Sequence, residues 1–143
     1  MVNRAAIPLS TYTAENRFKL YFFDTGLLGA MSRLSPKTIL DYNYASYQGY
    51  VAKNFAAQEF LCSDVENVVS WTERTAEVEF LCEYAGDVFP IEIKSGWITQ
   101  AKSLKVFADK YHPPYRTIMN AKNLKIDTHV HYYPFYLASK FPR

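Results

Sequence analysis

Three side chains in the middle of the chain could do chemistry together: Glu79, Glu92 and Lys94. The dipeptide Gly86-Asp87 separates two strand-like runs, Ala76 to Ala85 and Val88 to Ser95, and a Gly-first pair suits a two-residue type II′ hairpin turn. With Ala85 paired to Val88, counting outward sets Glu79 opposite Lys94 and Leu81 opposite Glu92. Cross-strand partners share a face, and diagonal neighbours lie about 7–8 Å apart. Glu79, Glu92 and Lys94 are thus expected on one face, with Val78, Phe80, Ile91 and Ile93 on the other. One or two carboxylates, completed by water and substrate phosphate, are how Mg²⁺ is usually held. The ion would polarise the phosphate and acidify a bound water, and Lys94 would orient that water or stabilise developing charge. The alternative is a salt-bridge ladder on an exposed face, which stabilises little. Register decides between them, since a one-residue slip turns Glu79 to the opposite face.

A fourth acid, Glu59, lies on the stripe of Val51, Phe55 and Cys62 in a helical run from about Tyr44 to Cys62. That stripe is expected to meet the core, where a charge is costly unless satisfied. His129 and His131, two apart in a strand-like segment, point to one face as a metal pair or as exposed polar side chains. Lys102, Lys105, Lys110 and Arg116, with Tyr111 and Tyr115 among them, could track a phosphate backbone and stack its bases. Lys102 and Lys105 would equally suit the solvated face of a helix. Cys62 and Cys82 each follow Phe-Leu and read as small buried hydrophobes rather than as a disulfide or metal pair.

The elements that must position these groups alternate in type. Phe18 to Asp24 reads as a short strand, Leu27 to Arg33 as a helix stopped by Ser35-Pro36, and Pro36 to Asp41 as the start of another. Strands are expected at Val68 to Trp71, on both sides of Gly86-Asp87, at Tyr115 to Asn120, and around Lys125 to Leu137. Thr99 caps a helix that runs to Tyr111 and buries Leu104, Phe107 and Ala108 before Pro113-Pro114. This order predicts an α/β fold, a mixed central sheet flanked by helices.

The 143 residues suffice for one domain. Their net charge of +2 hides a segregation. Residues 49–96 carry 9 acidic and 3 basic side chains, while residues 97–143 carry 2 acidic and 8 basic. An acidic block that needs cations thus precedes a basic block suited to a polyanion. Apolar runs are only a few residues long, which predicts no membrane span. The first ten residues show no secretion-signal pattern, so a cytoplasmic location is expected.

Several stretches together carry a family resemblance. They are Phe18-Lys19-Leu20-Tyr21-Phe22-Phe23-Asp24-Thr25-Gly26-Leu27-Leu28, Asn54-Phe55-Ala56-Ala57-Gln58-Glu59, Ala76-Glu77-Val78-Glu79-Phe80 and Pro90-Ile91-Glu92-Ile93-Lys94-Ser95-Gly96. From about Ile7 to Leu137 the chain resembles the C-terminal domain of unknown function of prokaryotic AAA-type ATPases. That domain is similar to the PD-(D/E)XK, restriction-endonuclease-like superfamily. The resemblance implies a helical acid at Glu59, metal ligands at Glu79 and Glu92, and a catalytic lysine at Lys94, with Mg²⁺ or Mn²⁺ as the ion. The family usually has Asp where Glu79 stands and often Glu where Lys53 stands. Residues 1–26 would be a lead-in left from an upstream winged-helix junction, and 27–143 the nuclease-like domain. No Gly-x-x-x-x-Gly-Lys-Ser/Thr run occurs, so this piece binds no ATP through a P-loop. The expected function is a nuclease-like accessory domain that cleaves or binds DNA beside an ATPase core. The alternative is a catalytically inactive protein-interaction module on the same fold.

Overall fold

Period-2 alternation in the β-branched and aromatic runs builds the centre of the molecule. The computed structural model describes residues 1–41, 47–96 and 101–142. Six strands, β1 (Asn67–Glu73), β2 (Ala76–Tyr84), β3 (Asp87–Ile93), β4 (Arg116–Asn120), β5 (Lys125–Ile126) and β6 (Val130–Pro134), form one sheet in the order β1-β2-β3-β4-β6-β5. The pairs β1–β2, β2–β3 and β5–β6 are antiparallel, while β3–β4 and β4–β6 are parallel. Helices α1 (Thr25–Met31), α2 (Pro36–Leu40), α3 (Tyr47–Leu61) and α4 (Lys102–Tyr111) complete a mixed α/β fold, as the sequence predicts. The parallel pairing of β3 and β4 requires a crossover, which α4 supplies. Thr99, the expected cap of α4, and Tyr44, the expected start of α3, lie outside the described residues.

Each sheet face has its own core. On one face Ala56, Ala57 and Phe60 of α3 pack on Phe80, Ile91, Ile93 and Met119. Phe60 meets Phe80 edge-on at 5.5 Å between centroids. On the other face Leu104 and Phe107 of α4 pack on Trp71, Val78, Leu81 and Ile118, joined by Val2 and Leu9. Trp71 and Phe107 meet edge-on at 5.2 Å, a geometry that adds about 0.5–1.5 kcal/mol beyond area burial. The buried carboxylate of Glu83 accepts the Leu9 N–H at 2.9 Å and an Asn67 amide N–H at 3.1 Å, so a charge holds the N-terminal segment down. Val2 continues the sheet past β1: its N–H donates to the Ser70 carbonyl, and its carbonyl accepts from Thr72.

Several expectations are corrected. Phe18 to Asp24 is not a strand. The Asn54 side chain takes the place of a strand partner, accepting the Phe22 N–H at 2.6 Å and donating to the Phe22 carbonyl at 3.2 Å, which satisfies both backbone groups. The stripe α3 buries runs through Asn54, Ala57 and Phe60, not through Val51, Phe55, Glu59 and Cys62. Glu59 is accordingly half-buried, and Cys62 is exposed while Cys82 is buried. Small Ala56 and Ala57 let the helix approach the sheet closely, which a count of large apolar residues misses. The last predicted strand divides into β5 and β6, which form a short antiparallel pair.

Two local features decide where the acids point. The β2–β3 turn is Ala85-Gly86, not Gly86-Asp87, with Tyr84 opposite Asp87 and Phe80 opposite Ile91. Both turn residues have positive φ, 50° at Ala85 and 83° at Gly86, the pattern of a type I′ hairpin. The register therefore differs from the expected one by two residues, a shift that preserves faces. A β-bulge does not preserve them. On β1–β2 the pairing passes from Val69↔Leu81 to Trp71↔Val78, so Glu79 and Phe80 together oppose Ser70. The extra residue makes Val78 and Leu81 share the α4 face and turns Glu79 with Phe80 toward α3.

Candidate functional site

On the α3 face Glu79 is 6 % exposed. Its Oε1 accepts from Lys19 at 2.8 Å and from the Tyr21 hydroxyl at 3.1 Å, and its Oε2 meets Lys53 of α3 at 2.5 Å. Lys19 also bonds Glu77. Burial pushes the Glu79 carboxyl up, but the two ammonium groups more than offset it and hold its pKa below the ordinary value. Burial lowers the Lys19 pKa, and its bonds to Glu77 and Glu79 reverse that to a net rise. Burial and then the Glu79 charge push the Tyr21 hydroxyl up, so it remains a donor. The cluster borders a cavity of about 560 Å³, walled by Leu20, Phe22, Tyr47 and Tyr50.

Glu92 and Lys94 stand on the other face. Ile91 and Ile93 belong to the α3-side core, and Glu92 between them is in register with Ile118 of the α4-side core. Lys94 donates to Glu92 Oε1 at 2.8 Å. Continuing the β3–β4 register by one residue brings Lys94 beside Asn120, which is fully buried and whose amide nitrogen has no acceptor among the described residues. Neither the hairpin pattern nor the Glu-x-Lys spacing identifies Asn120, because it reaches Lys94 only through the parallel β3–β4 pairing across the α4 crossover, which no local pattern carries.

The structure thus separates the acids that the sequence groups together. Glu79 lies under α3, while Glu92 and Lys94 lie on the α4 side with the sheet between them. Glu59 is half-buried and has no hydrogen-bond or ion-pair partner among the described residues. No three His, Cys, Asp or Glu side chains converge as a metal site among the described residues. The expected Mg²⁺ donor set is not assembled on one face, and both oxygens of Glu79 already face ammonium groups. His129 and His131 do not form a pair: His131 stacks on Tyr115 at 3.6 Å and 20°, whereas His129 is an exposed loop residue. Among the basic residues, Lys110 bonds Glu73 at 2.5 Å and Lys102 is exposed, while Lys105 and Arg116 line one cleft. No described helix is long and apolar enough to cross a membrane.

A mixed six-stranded sheet with a charged clamp on one face and a Glu-x-Lys pair on the other defines an α/β domain. The chain belongs to the family described as Domain of unknown function (DUF4143), whose model matches residues 45–137. All six strands and both long helices fall inside that match, whereas residues 1–44, including Lys19 and Tyr21, lie outside it. No curated protein and no solved structure matches the sequence.

Proposed function

We propose that this domain is a protein-interaction module of a prokaryotic AAA-type ATPase, resembling PD-(D/E)XK nucleases in fold but using its acids for structure. The observation that carries the proposal is the outward placement of the apolar side chains of residues 18–40. Phe18, Leu20, Phe23, Met31 and Leu40 are 64–93 % exposed, and neither α1 nor α2 buries a residue. Large apolar side chains left exposed in one stretch of chain suit an interaction site. The Asp24 cap on the Leu27 N–H and the Ser35 cap on the Thr38 N–H fix these short helices without a core. Glu79 supports the same reading, because the clamp of Lys19, Tyr21 and Lys53 holds residues 18–23 against α3 and leaves Phe18 and Phe23 exposed.

The occupant proposed for this surface is the ATPase core. Calorimetric titration of that core with the domain tests it: Phe23→Ser with Leu27→Ser should weaken binding by about tenfold or more, with circular dichroism unchanged. Equal affinity would overturn the proposal. So would Mg²⁺- or Mn²⁺-dependent cleavage of DNA or RNA by the wild type that Glu92→Ala or Lys94→Ala abolishes.

A further inference from the structure

A cleft of about 440 Å³ opens between the C-terminal end of α4 and the start of β4, away from residues 18–40. Lys105, Asp109, His112, Tyr115, Arg116 and His129 line it. These side chains come from a helix, its cap, a strand and the loop before β6, so the fold and not the sequence brings them together. Arg116 is anchored by one acceptor: its backbone N–H and its Nε both donate to the His129 carbonyl, at 3.0 and 3.4 Å. The terminal guanidinium N–H groups are left for another partner. Lys19, Lys53, Lys94 and Lys110 are each ion-paired. Lys105 and Arg116, by contrast, form no ion pair among the described residues, and Asp109 lies beyond ion-pair distance of both.

We infer that this cleft binds the terminal phosphate of a small phosphomonoester. Guanidinium and ammonium groups without carboxylate partners suit an oxyanion, and the planar fork of Arg116 matches two phosphate oxygens. His112 and His129 add imidazole donors. Asp109 and the negative end of the α4 dipole oppose the anion. Asp109 is a single charge against two cations, and the dipole at an exposed helix end is weaker than a charge-assisted hydrogen bond. Tyr115, fixed by its stack on His131, supplies a flat wall for the organic part. The volume lies within the range of small-ligand sites.

Backbone-amide NMR of the intact chain tests this, with separate titrations of inorganic phosphate, a nucleoside 5′-monophosphate, sodium chloride at matched ionic strength, and an oligonucleotide lacking terminal phosphates. Saturable shifts at His112, Arg116 and His129 are expected with phosphate and the monophosphate alone. Arg116→Gln should weaken both by about tenfold. Because Arg116 also holds the His129 loop, the exposed Lys105→Gln serves as the second variant and should weaken them by several-fold. Shifts reproduced by chloride, affinity indifferent to Lys105→Gln, or shifts with the oligonucleotide but not with phosphate would each overturn the assignment.

Discussion

Glu79 and Glu92 are carboxylates on neighbouring strands of one sheet, and they face different surroundings. Glu79 lies under α3 with two lysines and a tyrosine hydroxyl on its oxygens, and its pKa is depressed. Glu92 lies on the opposite face, more exposed, with Lys94 of its own strand as its ion-pair partner. One inserted residue in β2 accounts for the difference, because a bulge reverses alternation for everything beyond it. Two acids correctly placed on adjacent strands can therefore belong to different sites. Whether they cooperate depends on a backbone irregularity rather than on their types.

The contrast can be broken at several points. Glu79→Gln leaves Lys19 and Lys53 without their shared counter-charge in a part-buried setting and should cost about 2 kcal/mol in urea denaturation. Because the folded pKa of Glu79 is depressed, its contribution is full above the ordinary carboxylate value and is lost as pH falls through the folded one. The acid limb of the stability–pH curve should therefore be shallower in Glu79→Gln. Ser70→Ala removes the buried hydroxyl that donates to the Glu79 carbonyl at 2.8 Å and fixes the bulge. The expected cost is about 1 kcal/mol, read from the urea-denaturation midpoint. Ala85→Asn places a residue tolerant of positive φ in the turn and should stabilise by about 0.5 kcal/mol, with the β2–β3 register unchanged by NMR. Glu92→Gln should lie within about 0.5 kcal/mol of wild type, as expected for a more exposed pair. A loss as large as that of Glu79→Gln would erase the distinction between the two sites.

The framework of the fold is written in local patterns. Alternation in Ala76 to Tyr84, the apolar face of Leu104 and Phe107, and the Pro113-Pro114 stop each act within a few residues, so the strands and α4 are legible before any tertiary contact is known. The shared face of Glu92 and Lys94 follows from the same alternation. The bulge was not legible. Ala-Glu-Val-Glu-Phe-Leu-Cys alternates well enough to pass for a regular strand, and only the match of Trp71 with Val78 across the sheet forces the extra residue. The turn falls one residue earlier than its glycine suggests, because Gly86 supplies the second positive φ while Ala85 accepts the first against its preference. Phe18 to Asp24 has a strand-like pattern without being a strand, because the backbone partner of Phe22 is the side chain of Asn54, thirty-two residues away, and no local pattern carries that.

The bridge at Val2 has a consequence for how copies of this molecule behave at high concentration. A bare outer strand offers unpaired amides and carbonyls to any other strand it meets. Val2 occupies two of those groups on β1, those of Ser70 and Thr72, and at the other end of the sheet β5 is two residues long. Neither border therefore offers a long template for edge-to-edge growth. Shielding against aggregation is in this way divided between one valine and the brevity of one strand.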